Sequence, residues 1–332
     1  DAPLDHVQSE QLIHLDRPYT FILGPDETLS DAPGATGDRF FAETRAYWEG
    51  WSQRLAVPFE WQDAVIRAAI ALKLCNYEQT GAIVAAMTTS LPEAPHSGRN
   101  WDYRFCWVRD AFFTVRALNS LAATRTLENY FHWLMNVVSD AKGGHIQPVL
   151  GIGLEKQLTE WQADNLSGFM DMGPVRVGNQ AHEHFQHDTY GNVILGAAPA
   201  FFDRRLRMDI GPHAFAMLEP LGEQAWALHT EPDAGIWELR TRSRIHTSSS
   251  LMCWAACDRL AKIAACLSIP DRARFWRDRA DTIKAKILGE AWSDKRQAFV
   301  ESFGGETLDA SVLLMGEVNF LPASDDRFKL TV

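Results

Sequence analysis

The chain has 332 residues, 46% of them hydrophobic and 23% charged, with a formal net charge of −11. That length suffices for one large core or two smaller ones. The acidic balance excludes bulk nucleic-acid binding, which needs clustered Lys and Arg against phosphate, and no apolar run reaches the roughly 18 residues of a membrane helix.

In chain order, "RPYTFILGP" (17–25) is a short apolar run that reads as one strand. "SDAPGATGD" (30–38) reads as a linker of small residues, Gly and Pro. Helical patterning starts after it, with Phe40, Phe41, Trp48 and Trp51 in the first segment. A second helix over 61–75 puts Val65, Ala68, Ala69 and Leu72 on one stripe. Further helices are expected at about 110–122, 125–139, 190–203, 210–229, 246–267, 271–288 and 308–316. Between them lie long polar loops at 79–109, 140–189 and 230–245. Successive helices separated by loops that hold Trp, Arg, Asp and Glu predict an all-α barrel or toroid, with the site carried by the loops of one end.

The five cysteines, Cys75, Cys106, Cys253, Cys257 and Cys266, are odd in number and fit no zinc spacing. They read as reduced, mostly buried thiols of a cytoplasmic protein. No signal peptide is visible, and the chain opens at Asp1 without a methionine, so a leader or an upstream domain is expected to precede it.

Twelve tryptophans are many for this length. Trp133, Trp254 and Trp276 sit inside helical patterns and belong to a core. Trp101, Trp107, Trp161 and Trp237 lie in or beside polar loops, where a flat indole suits the C–H face of a sugar ring. In "DAGIWELR" (233–240), Glu238 follows Gly, Ile and Trp. A carboxyl packed on an indole loses hydration, holds its proton and can act as a general acid. The same octet also allows a surface glutamate paired with Arg240 or Arg242. Arg109 and Asp110 stand where a polar loop enters an apolar helix. Asp110 reads equally as an N-cap or, with Arg109, as a partner for vicinal hydroxyls. His182, His184, His187 and Asp188 are dense enough to suggest metal ligands, but no metal is expected there.

Four segments carry a resemblance. "TGAIVAAMTTSLPEAPHSGRNWDYRFCWVRDA" (80–111), "PVRVGNQAHEHFQHDTYGNV" (174–193), "DAGIWELR" and "LDASVLL" (308–314) occur in the order and at the spacing of glycoside hydrolase family 15, the glucoamylases with related trehalases and glucodextranases. The resemblance covers about residues 40–332. It implies an (α/α)6 barrel, no cofactor, and inverting exo-hydrolysis of α-glucosidic bonds with release of β-glucose. Its substrate would be an α-glucoside oligosaccharide or trehalose, with glucoamylase-type action the first reading and α,α-trehalase the alternative. Tyr103, Trp107, Arg109 and Asp110 would shape the subsite for the terminal glucose, joined by Trp101, Trp237 and Arg240, and Glu238 would be the general acid. The three histidines fall at positions where the family pattern does not hold histidine.

The general base of the family is a Glu in a late segment that nothing here resembles. The expectation is therefore a barrel incomplete at its end (38–332), preceded by the last strand of a β-sandwich and a linker (1–37), and inactive by itself. Glu301 and Asp309 are the candidates should a base be present. Two readings from other classes are a non-catalytic sugar-binding remnant and a prenyl-cyclase-like toroid. The second lacks its aspartate-rich motifs.

Overall fold

The computed structural model describes residues 4–332 except 26, 143, 207 and 209. It divides into two units, 1–55 and 56–332.

In the first unit, α1 spans Leu4–Gln8 and α2 spans Pro33–Ser52. Within this chain residues 17–25 pair with no other strand among the described residues and are exposed. The expected linker is also shorter than its composition suggests. The helix begins at Pro33, which fits a first turn because its missing N–H is not needed there. Thr36 is the buried residue of α2, and Gly37 passes so close to Thr20 that an added Cβ would meet its methyl at 2.6 Å. This helix, grouped by its pattern with the later ones, thus falls on the other side of the division at 55/56.

The second unit is built from helical hairpins. α3 spans Gln62–Leu74, α4 Val108–Ser120, α5 Thr124–Ala141, α6 Asp188–Ala197, α7 Pro199–Phe202, α8 Pro212–Leu228, α9 Thr247–Cys266, α10 Pro270–Glu290, α11 Leu314–Glu317 and α12 Asp326–Thr331. α4, α6 and α9 lie side by side, and each is backed by the longer helix that follows it, α5, α8 and α10 respectively. Burial separates the two layers. Every residue of α6 and nearly all of α9 are buried. By contrast α10 buries only Trp276, Ala280, Ile283 and Ile287, one stripe at helical spacing. An inner row backed by an outer row is the alternation of a six-hairpin toroid. The inner helices approach closely at Gly191, where a Cβ would stand 2.3 Å from the Met252 carbonyl oxygen. Trp133, Trp254 and Trp276 are core residues, 1%, 3% and 0% exposed. On α3 the expected stripe is only partly covered: Ala69 is buried, Val65 and Leu72 are half-buried and Ala68 is exposed.

The long loops are not structureless. Five antiparallel pairs of very short strands brace them: β1 (Asn76–Tyr77) with β2 (Ala82–Ile83), β3 (Thr89–Pro92) with β4 (Asn100–Asp102), β5 (Cys106–Trp107) with β6 (Val149–Leu150), β7 (Trp161–Gln162) with β8 (Arg176–Val177), and β9 (Trp292–Ser293) with β10 (Ala298–Phe299). All five cysteines are unpaired. Burial pushes the Cys106 and Cys257 thiols up to about 12, whereas Cys266 is exposed. Among the described residues no helix is long and apolar enough to cross a membrane.

Candidate active site

Three inner helices present their N-terminal turns to the same place. Arg109 and Asp110 open α4, Asp188 opens α6, and Thr247 and Ser249 open α9. The loops before these turns close a cleft of about 510 Å³ lined by, among others, Glu93, Trp101, Tyr103, Trp107, Arg109, Asp110, His184, Trp237, Glu238 and Arg240. All eight residues that the resemblance assigned to the site line this cleft. Trp161, in β7, is outside it.

The walls are held by buried polar groups. Asp102 is wholly buried; its carboxylate takes two hydrogen bonds from the Arg104 guanidinium (2.9 and 2.8 Å) and one from the Gly178 N–H (3.1 Å). Asn100 Nδ2 donates to the carbonyls of Met172 and Pro174. Asn179 Nδ2 donates to the carbonyl of Asp102. These bonds fasten the segment 100–104 to 172–179. Gly178 must be glycine: its φ is +80° and a Cβ would collide with the Thr159 carbonyl at 2.1 Å.

Glu238 stands on a loop closed at its base by a bridge between Asp233 and Arg244. Asp233 is buried and accepts from the His187 N–H (2.9 Å) and the Ser249 hydroxyl (2.7 Å), with His246 Nδ1 at 2.8 Å. Gly235, at φ +65°, lies flat on the His246 ring. The loop thus hangs from the start of α9, and Glu238 itself adopts φ +52°.

The Glu238 carboxylate accepts from Trp107 Nε1 (2.8 Å) and Arg109 Nη2 (3.0 Å) on one oxygen, Oε1. The indole that bonds it is therefore Trp107. Trp237, its chain neighbour, is 53% exposed and donates instead to Asp309 Oδ2 at 2.7 Å. Arg109 is the hub: Nη1 also reaches Gln186 Oε1 and Asp188 Oδ2, both at 2.9 Å. Burial opposes its charge, but the surrounding carboxylates hold it firmly protonated. Asp110 is not the N-cap. That position belongs to Trp107, without a side-chain bond, and Asp110 is third in the helix. Burial pushes the Asp110 carboxyl up; Arg109 opposes this and the charge of Glu238 adds to it. Tyr103 is raised to about 12 by burial and then by Glu93 and Glu238, so it remains a donor at all ordinary pH.

Trp101 does not offer an open face in the way its loop position suggests. Its N–H donates to Glu93 Oε1 (2.8 Å), and the guanidiniums of Arg240, Arg176 and Arg99 lie 4.4, 5.2 and 5.7 Å from its ring centroid. Glu301 is buried beside Arg242 and Arg244, and Asp309 both accepts from Trp237 and caps the helical turn 310–313 through Ser311 N. Neither lines the cleft. Of the histidine cluster, His184 reaches the cleft, His187 is buried beneath it, and Asp188 is engaged by Arg109 and Asn192. Among the described residues no three His, Cys, Asp or Glu are placed to hold a metal ion.

His184 was weighed only as a ligand. Its Nδ1 is buried without a partner, and the residue lines the cleft. Burial pushes the imidazole below the usual histidine range; Glu238 opposes this and Arg240 adds to it. A base depressed on folding is protonated first in the unfolded chain. Its contribution is therefore complete above pH about 6.5 and declines as pH falls toward the folded value. His184→Gln is expected to flatten the fall of Tm between about pH 7 and 5; an unchanged slope in thermal melts would count against this ionisation.

Aromatic walls, the buried Arg109–Asp188 ion pair and the Glu238 carboxyl thus meet at the N-terminal ends of three inner helices. The chain belongs to glycosyl hydrolases family 15, whose family model matches residues 61–330. It is 36% identical over 311 residues to the trehalase of Mycobacterium tuberculosis, covering 93% of this chain and 44% of the relative. It is 37% identical over 294 residues to the trehalase of Mycolicibacterium smegmatis, covering 87% and 43%. The chain thus spans less than half the length of these relatives. Among solved structures, a bacterial glucoamylase complexed with acarbose superposes with a TM-score of 0.59 at 15% identity, covering 90% of this chain and 45% of the other. A glucoamylase from Saccharomycopsis fibuligera gives 0.56 at 13%, covering 80% and 58%. At such identities the likeness concerns the fold.

Proposed function

We propose that the protein carrying these residues is an inverting hydrolase of α-glucosidic bonds whose substrate is α,α-trehalose. This reverses the order set by the sequence, where glucoamylase-type action came first. The reason is the similarity to trehalases, 36–37% identical over most of this chain. The glucoamylases share its fold at 13–15% identity.

The single observation that carries the hydrolase reading is Glu238. It stands in the cleft with one oxygen bound by Trp107 and Arg109, and no hydrogen bond is made by the other among the described residues. In this reading that free oxygen carries the proton given to the leaving glycosidic oxygen. Asp110 and Arg109 meet the outer hydroxyls of the terminal glucose. Tyr103, still protonated, lies beside the ring where positive charge develops. A second carboxylate would activate water from the opposite face, about 6.5–9.5 Å from the acid.

The test is hydrolysis of trehalose, maltose, maltotriose and isomaltose by the full-length protein, with the anomer followed by NMR. Trehalose turned over fastest, with β-glucose appearing, is the expected result. Faster maltotriose restores the glucoamylase reading, and binding without hydrolysis supports the sugar-binding remnant. The 332 residues assayed by themselves are expected to bind glucosides with negligible turnover, because the family's base has no counterpart in the sequence. Robust β-glucose release would give the base to Glu93 or Asp110, the other carboxylates of the cleft.

A further inference from the structure

We propose that Glu160 is a positioning residue for Glu238: its carboxylate, by gripping Arg240, clasps the acid-bearing loop to the wall built around Trp101. This rests on the functional reading above.

Glu160 comes from the long loop 140–189, at a point with no motif to mark it. Its carboxylate is only 12% exposed. Oε2 accepts from Arg240 Nη2 at 2.6 Å and from the Gln180 N–H at 3.3 Å. Oε1 accepts from Arg240 Nη1 at 3.2 Å and from Arg176 Nη1 at 3.1 Å. Such a forked, charge-assisted pair fixes direction as well as distance. Arg240, so held, has its guanidinium carbon over the Trp101 ring, 4.4 Å from the centroid. Burial pushes the Glu160 carboxyl up, and its donors more than offset this, so it stays ionised below the usual carboxylate range.

The mechanical argument concerns the loop. Its rear limb is fixed through Asp233, His246 and Ser249. Glu238 at its tip is held through side-chain bonds to Trp107 and Arg109. Beyond the tip, Thr241, Arg242, Ser243 and Arg244 are exposed, and Arg242 and Arg244 pair with the buried Glu301. Arg240, two residues past the acid, ties the part of this forward limb nearest Glu238 to the wall around Trp101. Glu160 therefore acts on the chemistry through Arg240 and the backbone between 238 and 240, without touching the substrate.

Two measurements test this. In the 332-residue chain, Glu160→Gln is expected to speed amide hydrogen exchange across 236–243 about tenfold or more, with exchange in α9 unchanged. Arg240→Gln, which cuts the clasp from its other end and leaves Glu160 with Arg176, should do the same. In the full-length enzyme, Glu160→Gln is expected to lower kcat about 10–100-fold with KM within about threefold, as for a misplaced catalytic group. Glu160→Asp should recover part of the loss, and Glu160→Gln with Arg240→Gln should fall no further than either alone. Unchanged exchange, or a loss confined to KM, overturns the proposal; the latter would mean that Arg240 binds sugar directly. Faster exchange in an otherwise folded protein that hydrolyses no glucoside leaves the clasp standing and sinks the functional reading instead.

Discussion

Glu238→Gln is expected to lower turnover of the full-length enzyme by about 10²–10⁴-fold, the usual worth of general acid catalysis. KM should change far less. Gln has the shape of Glu, and its amide oxygen can still accept from Trp107 and Arg109, which now reach Oε1 at 2.8 and 3.0 Å. What is lost is a proton that can be given away in the transition state. Steady-state kinetics on trehalose, with sugar affinity measured by calorimetry, separates the two quantities. A variant that keeps more than about a tenth of wild-type kcat would remove Glu238 from the acid role.

Arg109→Leu should produce the largest loss of stability. The Arg109 side chain is 13% exposed, and it joins Asp188, 4% exposed, to Glu238, 22% exposed. Removing the cation leaves carboxylates in the same partly buried space without a counter-charge, which costs about 3–5 kcal/mol in comparable pairs. In a unit of this size that corresponds to a Tm lower by about 10 °C. Arg109→Lys should recover little, because a single ammonium cannot fork toward Asp188 and Glu238 together. Calorimetric melts of the three proteins decide it. A Leu variant within about 1 °C of wild type would mean that water already carries most of that charge.

Outer helices such as α10 were legible because their apolar residues recur with a 3.6-residue period, and the almost wholly buried α6 and α9 because their apolar runs are too long for a strand. Eight segments of the second unit stand within a few residues of their expected places, and the long α9 and α10 do so at both ends. The braces in the loops were not legible. A strand of two residues, such as Cys106–Trp107, has no alternation to read, and its pairing with Val149–Leu150 lies more than forty residues away. The same distance hid the partners of the site. Glu93 sat within a quoted motif, yet nothing local says that it accepts from Trp101. Glu160 had no motif at all, and only the fold brings it to Arg240. The reverse error also occurred: adjacency in sequence paired Glu238 with Trp237, whereas folding pairs it with Trp107. Residue type told which groups could do chemistry. Which of them meet was decided by the loops.

The suspension of the acid-bearing loop bears on how such a protein can change over generations. Its fixed points are Asp233 and Gly235 at the rear, Glu238 at the tip, and Arg240 and Arg242 in front. Thr241 and Ser243 lie between Arg240 and the closing bridge at Arg244, exposed and without side-chain hydrogen bonds among the described residues. Substitutions there can accumulate at small cost in folding, while the acid keeps its place. The rim of the cleft is thereby open to drift, and a descendant could acquire a taste for a different second sugar before anything in the machinery of bond cleavage had to be rebuilt.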